Sequence, residues 1–517
     1  MSLRRFLFQI CKPPRISEVL FAAVLVWLFA TGDGWSVLLA DGDTGWHIRN
    51  GEQILNTGQV PLADQFGFGT EGHPWYAWEW LADILFAVLF RSGGLRAVAI
   101  FSGIVIATAV SILFRHILWR STGMMLAIPV ALLAVGASSI HYLARPHVLG
   151  LLFFTILCWL IDLDRASRSR WLTALPLLFI VWTNCHGSFL AGIAMLALWT
   201  AEAALLKSPL LRRRMLISAG CACATLCNPY GWRLHVHAIA YLQSSWIRAA
   251  VEEFQSPSFR SESIFQFEIL LVCGLVSVPW LLRRKEYYGA VIVVFWAHES
   301  LVSVRHIALY CVAACPLLAV HLQCAWDSYS RSRPKSLLRT FEAINATWRP
   351  WDNGVTLWPA VLSLAIGFSS THGLTPATPV EFPRNKFPVH LVERNVPVLR
   401  RDGVSAPRVF SSDQWSDYLI FRLYPAVRIY FDGRSDFFGA WRGKSYQSLM
   451  AGHSEATAIL DDEHVEIALI PADWALAGVL GRDSRWRIAD RDSMAVLFIR
   501  RYPNSADDPN QNLSIRR

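Results

Sequence analysis

Long apolar runs, separated by short clusters of Arg and Lys, recur from the start of the chain to about residue 370. A segment that crosses a bilayer must satisfy its own backbone hydrogen bonds, and a helix of about 20 apolar residues does so. Several runs are shorter than this and need flanking residues to span. The pattern predicts a mainly α, polytopic helical membrane bundle, with spans near Val19–Ala30, Leu95–Leu113, Met124–Ser138, Val148–Ile161, Trp171–Thr183, Phe189–Leu206, Met215–Cys227, Phe267–Leu282, Tyr288–Ala297, Leu301–Ala325 and Val355–Phe368.

The composition excludes several other classes of protein. Hydrophobic residues make up 54% of the chain and charged residues only 17%, whereas a soluble domain carries about 25% charged residues. A water-soluble enzyme and a disordered chain are therefore excluded. Ten Cys in 517 residues are too sparse for a disulfide-stapled fold. The net charge of +9 lies in clusters between apolar runs, which is typical of cytoplasmic loops and not of nucleic-acid binding.

The segment Trp80–Phe90, which contains Asp83, decides the orientation of every later loop. If it lies in the outer interface as an amphipathic helix, all Arg- and Lys-rich loops face the cytoplasm, as the positive-inside rule requires. If it spans the membrane, the loops with Arg165 and Arg212 face outward instead. The rule favours the interfacial helix and predicts about eleven transmembrane helices in the inner (plasma) membrane. The N-terminus is then cytoplasmic and the C-terminal domain periplasmic or extracellular.

The sequence changes character after Phe368, where no long apolar run and no Cys follows. Strand-like segments alternate with helical ones, which predicts an extracytoplasmic α/β domain. The strands are expected at Arg408–Ser411, Ala426–Phe431, Val465–Pro471 and Met494–Arg500, and helices at Trp441–Ala451 and His453–Asp461. The predicted division is a membrane domain over 1–370 with an outer loop at 41–94, an α/β domain over 371–505 and a polar tail over 506–517.

Polar residues of interest collect on the predicted outer side of this topology. Ionisable groups beside a membrane are expensive and usually serve a site or a pathway. The opposite loops contain little besides Arg, Lys and Ser, so the asymmetry indicates one chemical face, directed outward. Its residues are Asp41, Asp43, His47, Arg49, Glu79, Arg145, His147, Asn184, His186, Glu252, Glu253, Arg305 and His306.

The densest of these elements is Asp41-Gly-Asp-Thr-Gly-Trp-His47 in the first outer loop. Two carboxylates beside a His and an Arg can bind a divalent cation or supply a general base. The same residues also suit a polar helix cap with Asp at its N-cap. Asp-x-Asp alone does not decide between these alternatives.

The later polar elements also have two interpretations each. Arg145-Pro-His147 starts a helix at the membrane surface, where Arg suits a phosphate group or anchors the helix by snorkelling toward headgroups. Asn184 and His186 suit either substrate binding or a structural helix end. Arg305 and His306 are the late candidates for a lipid phosphate. Asp432 and Arg434 follow a predicted strand and form either a site or a salt-bridged turn.

No nucleotide-binding glycine loop, Cys-x-x-Cys pair or His-Glu-x-x-His motif occurs in the sequence. An outward-facing enzyme has no nucleotide-sugar supply, so a donor for it must be carried in the membrane.

These motifs together resemble those of bacterial GT-C-type membrane glycosyltransferases, and the resemblance covers most of the chain. The first outer loop, Asp41 to Glu52, is the clearest match, and its sequel runs from Gly58 to Trp80. The further matching stretches are Arg145–His147, Trp182–Phe189, Asn228–Gly231, Glu252–Pro257, Ser303–His306 and Tyr430–Asp436.

The resemblance implies transfer of a sugar from a polyprenyl-phosphate donor to a saccharide, lipid or protein acceptor at the outer face, with inversion. It implies Asp43 as general base, Asp41 as its partner, and Arg145, Arg305 and His306 around the leaving phosphate. His47, Arg49, Glu79, His147, Asn184 and His186 are then substrate-binding candidates. The resemblance allows, but does not require, a Mg²⁺ or Mn²⁺ ion on Asp41, Asp43 and Glu252. A transporter or flippase of a lipid-linked sugar and a non-catalytic member of the fold are the alternatives.

Overall fold

The computed structural model describes residues 14–30, 34–70, 73–120, 122–167, 170–261, 264–333, 337–348, 356–371, 380–400 and 406–501. The basic residues Arg4, Arg5 and Lys12 and the predicted polar tail over 506–517 lie outside these ranges.

Helices dominate the described residues, as the apolar runs predict. In chain order they are α1 (Ile16–Ala30), α2 (Gly34–Leu38), α3 (Asp43–Thr57), α4 (Trp80–Trp119), α5 (Met124–Ser138), α6 (His147–Ser167), α7 (Leu175–Cys185), α8 (Phe189–Leu205), α9 (Leu211–Ala224), α10 (Trp232–Gln243), α11 (Ser245–Ala250), α12 (Phe265–Arg283), α13 (Tyr287–Val302), α14 (Ile307–Ser332), α15 (Leu337–Trp348), α16 (Trp358–Thr371), α17 (Val389–Arg394), α18 (Val396–Leu399), α19 (Asp413–Leu423), α20 (Ser435–Met450), α21 (Ala456–Asp462) and α22 (Ala475–Arg482).

Five helical segments in the described part of the chain are long and apolar enough to cross a membrane: Trp80–Trp119, Met124–His141, His147–Ala166, Phe265–Arg283 and Val304–Ser332. Five more apolar helices are shorter: Ile16–Ala30, Trp171–Cys185, Phe189–Leu205, Tyr287–Val302 and Trp358–Gly367. These helices indicate a multi-pass membrane protein. The total of about eleven spans, the kind of membrane and the orientation of the termini stay predictions.

Helix α4 contains a backbone break that separates two predicted segments. Gly93 (φ −159°) and Gly94 (φ 65°) are not helical, and they divide the part that contains Trp80–Phe90 from the part that contains Leu95–Leu113. Gly94 lies in the left-handed region, which glycine adopts without the steric cost of a Cβ. The two helical segments are therefore confirmed as separate, while the interfacial position of the first stays a prediction.

The chain forms two compact units, and neither is continuous in sequence. The first unit consists of Met1–Leu38, Leu89–His235 and Val251–Pro379, and the second of Leu39–Val88, Val236–Ala250 and Val380–Arg517. In the first unit α14 packs against α5, α6, α12 and α13, and its residues from Ile307 to Ala319 are buried. Most of the predicted outer loop thus lies in one unit with the C-terminal residues. The predicted boundary near residue 370 stays a prediction.

The second unit contains a five-stranded mixed sheet with strand order β2-β1-β3-β5-β4. Its strands are β1 (Arg408–Ser411), β2 (Arg428–Ile429), β3 (Ile467–Pro471), β4 (Trp486–Arg491) and β5 (Ala495–Arg500). Strand β1 pairs in parallel with β2 and β3, whereas β5 pairs antiparallel with β3 and β4. The sheet confirms four predicted strands and adds β4, whose residues Trp486–Arg491 carry too many charges to have been recognised as a strand.

Candidate functional site

Two glycines of the first-loop motif bring helix α3 into close contact with α19 in the second unit. A Cβ on Gly42 would lie 2.4 Å from the carbonyl oxygen of Gln414, and one on Gly45 would lie 2.7 Å from Cβ of Phe421. Larger side chains would force the helices apart. The spacing Gly-x-x-Gly is therefore a packing surface, and it fixes the position of Asp43 between the two glycines.

The contact between α3 and α19 places Asp43 beside Asp417. A Cβ on Gly433 would lie 2.1 Å from Oδ1 of Asp43 and 2.7 Å from Oδ2 of Asp417, so both carboxylates face this backbone position. Asp43 is 6% exposed and Asp417 is fully buried. The Gly433 N–H donates to Oδ1 of Asp417 at 3.1 Å. Asp41 lies two residues earlier in the sequence, and its Oδ1 accepts a hydrogen bond from the Asp43 N–H at 2.9 Å.

The parallel part of the sheet accounts for two further carboxylates near this pair, Asp413 and Asp432. Ser411 ends β1 and α19 begins at Asp413, while Asp432 follows shortly after β2. Polar side chains at the carboxyl ends of neighbouring parallel strands meet at one edge of a sheet. We call Asp43, Asp413, Asp417 and Asp432 the acid cluster.

The protonation of the acid cluster follows from burial and mutual repulsion. Burial raises the pKa of Asp417 well above its ordinary value, and the nearby Asp43 and Asp432 raise it further. Burial also raises the pKa of Asp413, and Asp41 adds to this effect. Neighbouring carboxylates do not all ionise together at neutral pH. Asp417 therefore keeps its proton to a higher pH than an ordinary aspartate does.

Arg434 is the buried cation next to the acid cluster. It donates from Nε and Nη2 to the two carboxylate oxygens of Asp432, at 2.8 and 2.6 Å, and its Nη1 lies 2.7 Å from Oδ1 of Asp64. Its side chain is 1% exposed. Burial opposes ionisation of Asp64, but Arg434 lowers its pKa below the ordinary value. The predicted salt-bridged turn at Asp432 and Arg434 is therefore present, and it ties the turn to the first loop.

Other predicted first-loop residues form a separate buried network. His47 Nδ1 lies 2.6 Å from Asp83 Oδ1, and His47 Nε2 lies 3.4 Å from Glu79 Oε2. Asn50 donates to Asp83 Oδ2 at 2.6 Å. Arg49 donates from Nε and Nη2 to the carbonyl oxygen of Phe421 at the end of α19. His47 and Glu79 therefore do meet, and the substrate-binding roles of these residues stay predictions.

In the first unit, Glu253 joins two of the arginines predicted to bind phosphate. Arg145 Nη1 lies 2.8 Å from Glu253 Oε1, and Arg305 Nε lies 3.2 Å from Glu253 Oε2. The three side chains are 17%, 27% and 32% exposed for Arg145, Arg305 and Glu253. Burial alone would raise the pKa of Glu253, but the two arginines outweigh it and hold this pKa well below its ordinary value. One carboxylate thus faces two guanidinium groups, which we call the arginine pair.

Short loops hold the arginine pair in place. The side chain of Ser303 donates to the Glu253 carbonyl at 2.7 Å, and Val304 N–H donates to the Gln255 carbonyl at 3.0 Å. His141 Nε2 lies 2.9 Å from the Val304 carbonyl, and His147 Nε2 lies 2.5 Å from the His141 carbonyl. The loops before α6, before α12 and before α14 are thereby locked together.

The remaining predicted residues of the first unit have mainly local partners. His306 Nδ1 lies 3.1 Å from the Glu299 carbonyl. Asn184 donates to the carbonyls of Ile180 and Cys227 at 2.8 Å, and His186 Nδ1 lies 2.8 Å from Ser188 Oγ. These bonds fit helix ends, and the phosphate- and substrate-binding roles of these residues stay predictions.

The described residues offer no ready-made metal site. Nowhere in these ranges are three His, Cys, Asp or Glu side chains placed to hold a metal ion together. Asp41 and Asp43 belong to the second unit and Glu252 to the first. The Mg²⁺ or Mn²⁺ ion that the family resemblance allows on Asp41, Asp43 and Glu252 therefore stays a prediction.

Sequence reasoning missed Asp417 and undervalued Glu253. Asp417 lies in the helix Asp413–Leu423, which was not predicted as an element, and only the folded sheet brings it to the first loop. Glu253 was counted among the outer polar residues but was given no role. In the sequence Glu253 lies between Arg145 and Arg305, two predicted outer residues whose charge is opposite to its own. This was the signal that could have identified it.

Comparison with known proteins gives a fold and no sequence family. No family model matches the sequence, and no curated protein is similar to it. The archaeal oligosaccharyltransferase AglB from Archaeoglobus fulgidus, solved with an inhibitory peptide and a dolichol-phosphate, has a similar structure at a TM-score of 0.53 and 12% identity. The match covers 98% of this chain and 75% of AglB.

ArnT from Cupriavidus metallidurans is a weaker structural match. Its form bound to undecaprenyl phosphate gives a TM-score of 0.48 at 16% identity, and its apo form gives 0.49 at 15%. Each match covers 93% of this chain and 97% of ArnT. The predicted resemblance to GT-C-type membrane glycosyltransferases is confirmed at the level of the fold, by the likeness to AglB.

Proposed function

We propose that this protein is a membrane glycosyltransferase that transfers a sugar from a polyprenyl-phosphate donor to an acceptor at the outer face. The observation that carries the proposal is the arginine pair, in which two guanidinium groups share one carboxylate at the ends of apolar helices. This arrangement leaves one net positive charge for an anion. Guanidinium groups bind phosphate with short, charge-assisted hydrogen bonds. The AglB-like fold supports the proposal, because AglB was solved with a dolichol-phosphate.

The proposed reaction uses Asp43 as general base. An acceptor hydroxyl attacks the anomeric carbon, its proton passes to the Asp43 carboxylate, and the bond from the anomeric carbon to the phosphate oxygen breaks with inversion. Arg145 and Arg305 stabilise the negative charge on the departing polyprenyl phosphate. The raised pKa of Asp417 favours its protonated form, and a neutral Asp417 does not repel the negative charge that Asp43 needs as a base. Asp41 holds the turn in front of Asp43 and acts as a positioning residue.

The base is tested by Asp43→Asn in the purified full chain, reconstituted with lipid extract that carries labelled sugar. General-base catalysis contributes about 10²- to 10⁴-fold, so we expect a loss of transfer of that size. Binding of undecaprenyl phosphate should not change. The exposed Asp473→Asn is the matched control. Transfer by Asp43→Asn at the rate of this control would refute the base assignment.

The phosphate site is tested separately by Arg145→Gln and Arg305→Gln, with undecaprenyl phosphate as the probe in native mass spectrometry. A hydrogen bond to a charged group contributes about 1.5–3 kcal/mol, so each variant should bind about 10- to 100-fold more weakly. The exposed Arg331→Gln, at the end of α14, is the control. Equal affinity in all three variants would show that the arginine pair is not the phosphate site, whatever the base proves to be.

A further inference from the structure

A second polar site lies in the first unit, at the opposite end of α6 from Arg145. It is a cavity of about 290 Å³, formed where the ends of α4, α6 and α8 meet the starts of α9 and α13. Asp162 and Arg165 of α6 line it, and Arg145 directly precedes the start of this helix. At 1.5 Å per residue, roughly 25 Å of helix separates the cavity from Arg145. We call it the distal cavity. The proposed transfer reaction does not use it.

The distal cavity is lined by three arginines and three carboxylates that pair with one another. Arg165 Nη2 lies 2.9 Å from Glu202 and 3.0 Å from Glu286, and Arg165 Nη1 lies 3.5 Å from Asp162. The remaining two arginines pair with the same carboxylates, Arg214 with Glu202 at 2.9 Å and Arg120 with Asp162 at 3.0 Å. The charges of the lining therefore balance.

A balanced lining selects the charge of its ligand. An anion would face the three carboxylates and a cation the three arginines, and burial makes such unpaired charges expensive. A zwitterion carries both charges, so its anionic group can pair with an arginine and its cationic group with a carboxylate. The total charge of the site then stays at zero. Arg214 is 6% exposed, and its Nε has no hydrogen-bond acceptor in the described part of the chain. A phosphate oxygen would satisfy this buried donor.

The rim of the distal cavity indicates that the ligand also has an apolar part. Trp119 and Leu206 line the cavity and are 39% and 54% exposed, and the neighbouring Leu205 is 83% exposed. Trp is enriched where a membrane meets water, and exposed Leu at the end of an apolar helix suits acyl chains. Glu286, the most exposed of the three carboxylates at 42%, offers an acceptor to an N–H donor that enters from the rim.

We propose that the distal cavity binds the headgroup of a zwitterionic phospholipid with a primary ammonium group, of the phosphatidylethanolamine class. The phosphate contacts Arg120 and Arg214, and the ammonium donates to Glu286. A quaternary ammonium has no N–H to donate, and an anionic headgroup offers no counter-charge to the carboxylates. Both should bind more weakly.

The proposal is tested by native mass spectrometry of the full chain with phosphatidylethanolamine, phosphatidylcholine or phosphatidylglycerol. We expect at least tenfold tighter binding of phosphatidylethanolamine, since the ammonium adds a charge-assisted hydrogen bond. Soluble glycerophosphoethanolamine should displace the lipid, and glycerol 3-phosphate should not. Equal affinity for the three lipids, or equal displacement by the two soluble compounds, would overturn the proposal. Binding of glycerophosphoethanolamine with no preference among the lipids would also overturn it, because the occupant is then a free zwitterion.

Glu286→Gln is the informative variant, because this side chain is half-exposed and its removal leaves Arg165 two other carboxylates. We expect the preference for phosphatidylethanolamine to fall about tenfold or more while the Tm of the lipid-free protein stays near that of the wild type. Glu268→Gln, at an exposed glutamate of α12 outside the cavity, is the matched control. If the two variants bind the three lipids alike, the ion pairs of the distal cavity serve structure alone.

Discussion

The acid cluster and the arginine pair have an excess of opposite charges. In the acid cluster, four carboxyl groups lie beside the buried cation Arg434, and burial raises the pKa of Asp417. In the arginine pair, two guanidinium groups outnumber the one carboxylate, Glu253, and hold it ionised. The pKa of a carboxyl group is therefore shifted in opposite directions in the two units. The comparison teaches that neighbours, and not residue type, decide whether a carboxyl group stores a proton or a charge.

The largest effect is expected when Arg434, the buried cation beside the acid cluster, is removed. Arg434→Met keeps most of the side-chain volume but leaves Asp64 and Asp432 as buried charges without their cation. Breaking a buried ion pair in this way costs about 3–5 kcal/mol. We expect the free energy of unfolding of the full chain in detergent to fall by that amount. The exposed Arg482→Met is the control, and an equal Tm for the two variants would contradict the buried role of Arg434.

The next prediction concerns the opposite pH dependence of the two regions. The folded-state pKa of Asp417 is raised. Above about pH 3.9, the pKa of an aspartate in the unfolded chain, folding therefore requires the uptake of a proton. Folding then becomes less favourable as pH rises. Asp417→Asn removes this cost and should stabilise the protein relative to the wild type increasingly as pH rises above about 4. The gain is at most about 1.4 kcal/mol per pH unit.

The arginine pair should behave in the reverse manner. The folded-state pKa of Glu253 is lowered, so its contribution to stability is present above about pH 4.3 and is lost as pH falls toward the folded-state value. Glu253→Gln should therefore be destabilised at pH 7, and its Tm should approach that of the wild type as pH falls below about 4.3. Thermal unfolding of both variants from pH 3.5 to 7.5 measures the two trends. If the stabilities of both variants, relative to the wild type, changed with pH in the same direction, the proposed difference between the two regions would be wrong.

The smallest expected effect concerns the helix that carries Asp417. Ser412 caps α19, and its side chain accepts a hydrogen bond from the Trp415 N–H at 3.3 Å. Loss of such a cap costs about 1 kcal/mol. Ser412→Ala should lower the free energy of unfolding by this amount, and the exposed Ser484→Ala should leave it unchanged. A loss of sugar transfer much larger than the loss of stability would show that the position of α19 controls the acid cluster directly.

The sequence was most informative where local patterns decide the structure. Apolar runs predicted the apolar helices, and strand-like segments predicted four of the five strands. The break at Gly93 and Gly94 also matched a predicted boundary. Apolar runs that are shorter than the bilayer thickness could not be counted reliably as transmembrane helices. Packing decides whether flanking residues extend such a run into a full span.

The candidate site was only partly predictable, because its partners lie far apart in the chain. Asp41, Asp43, Arg145 and Arg305 were recognisable from their positions beside apolar runs. Asp417 was not, since nothing local distinguishes it from a solvated aspartate in an amphipathic helix. The choice between helix cap and chemistry at Asp-x-Asp also needed the structure. Gly42 is the N-cap of α3 and no side chain caps this helix. Asp41 accepts a hydrogen bond from the Asp43 N–H, and Asp43 meets a second carboxylate.

The close packing of Gly42 and Gly45 on α19 has a consequence for biogenesis. The residues that form this contact are separated by nearly the whole remaining chain, since Val88 ends one segment of the second unit and Val380 begins another. At about 5–20 residues per second, a ribosome needs roughly 15–60 s to synthesise the intervening chain. During that time the glycine face of α3 is without its partner. Assembly of the acid cluster is thus among the last events in the maturation of the protein, and a prematurely terminated chain never completes it.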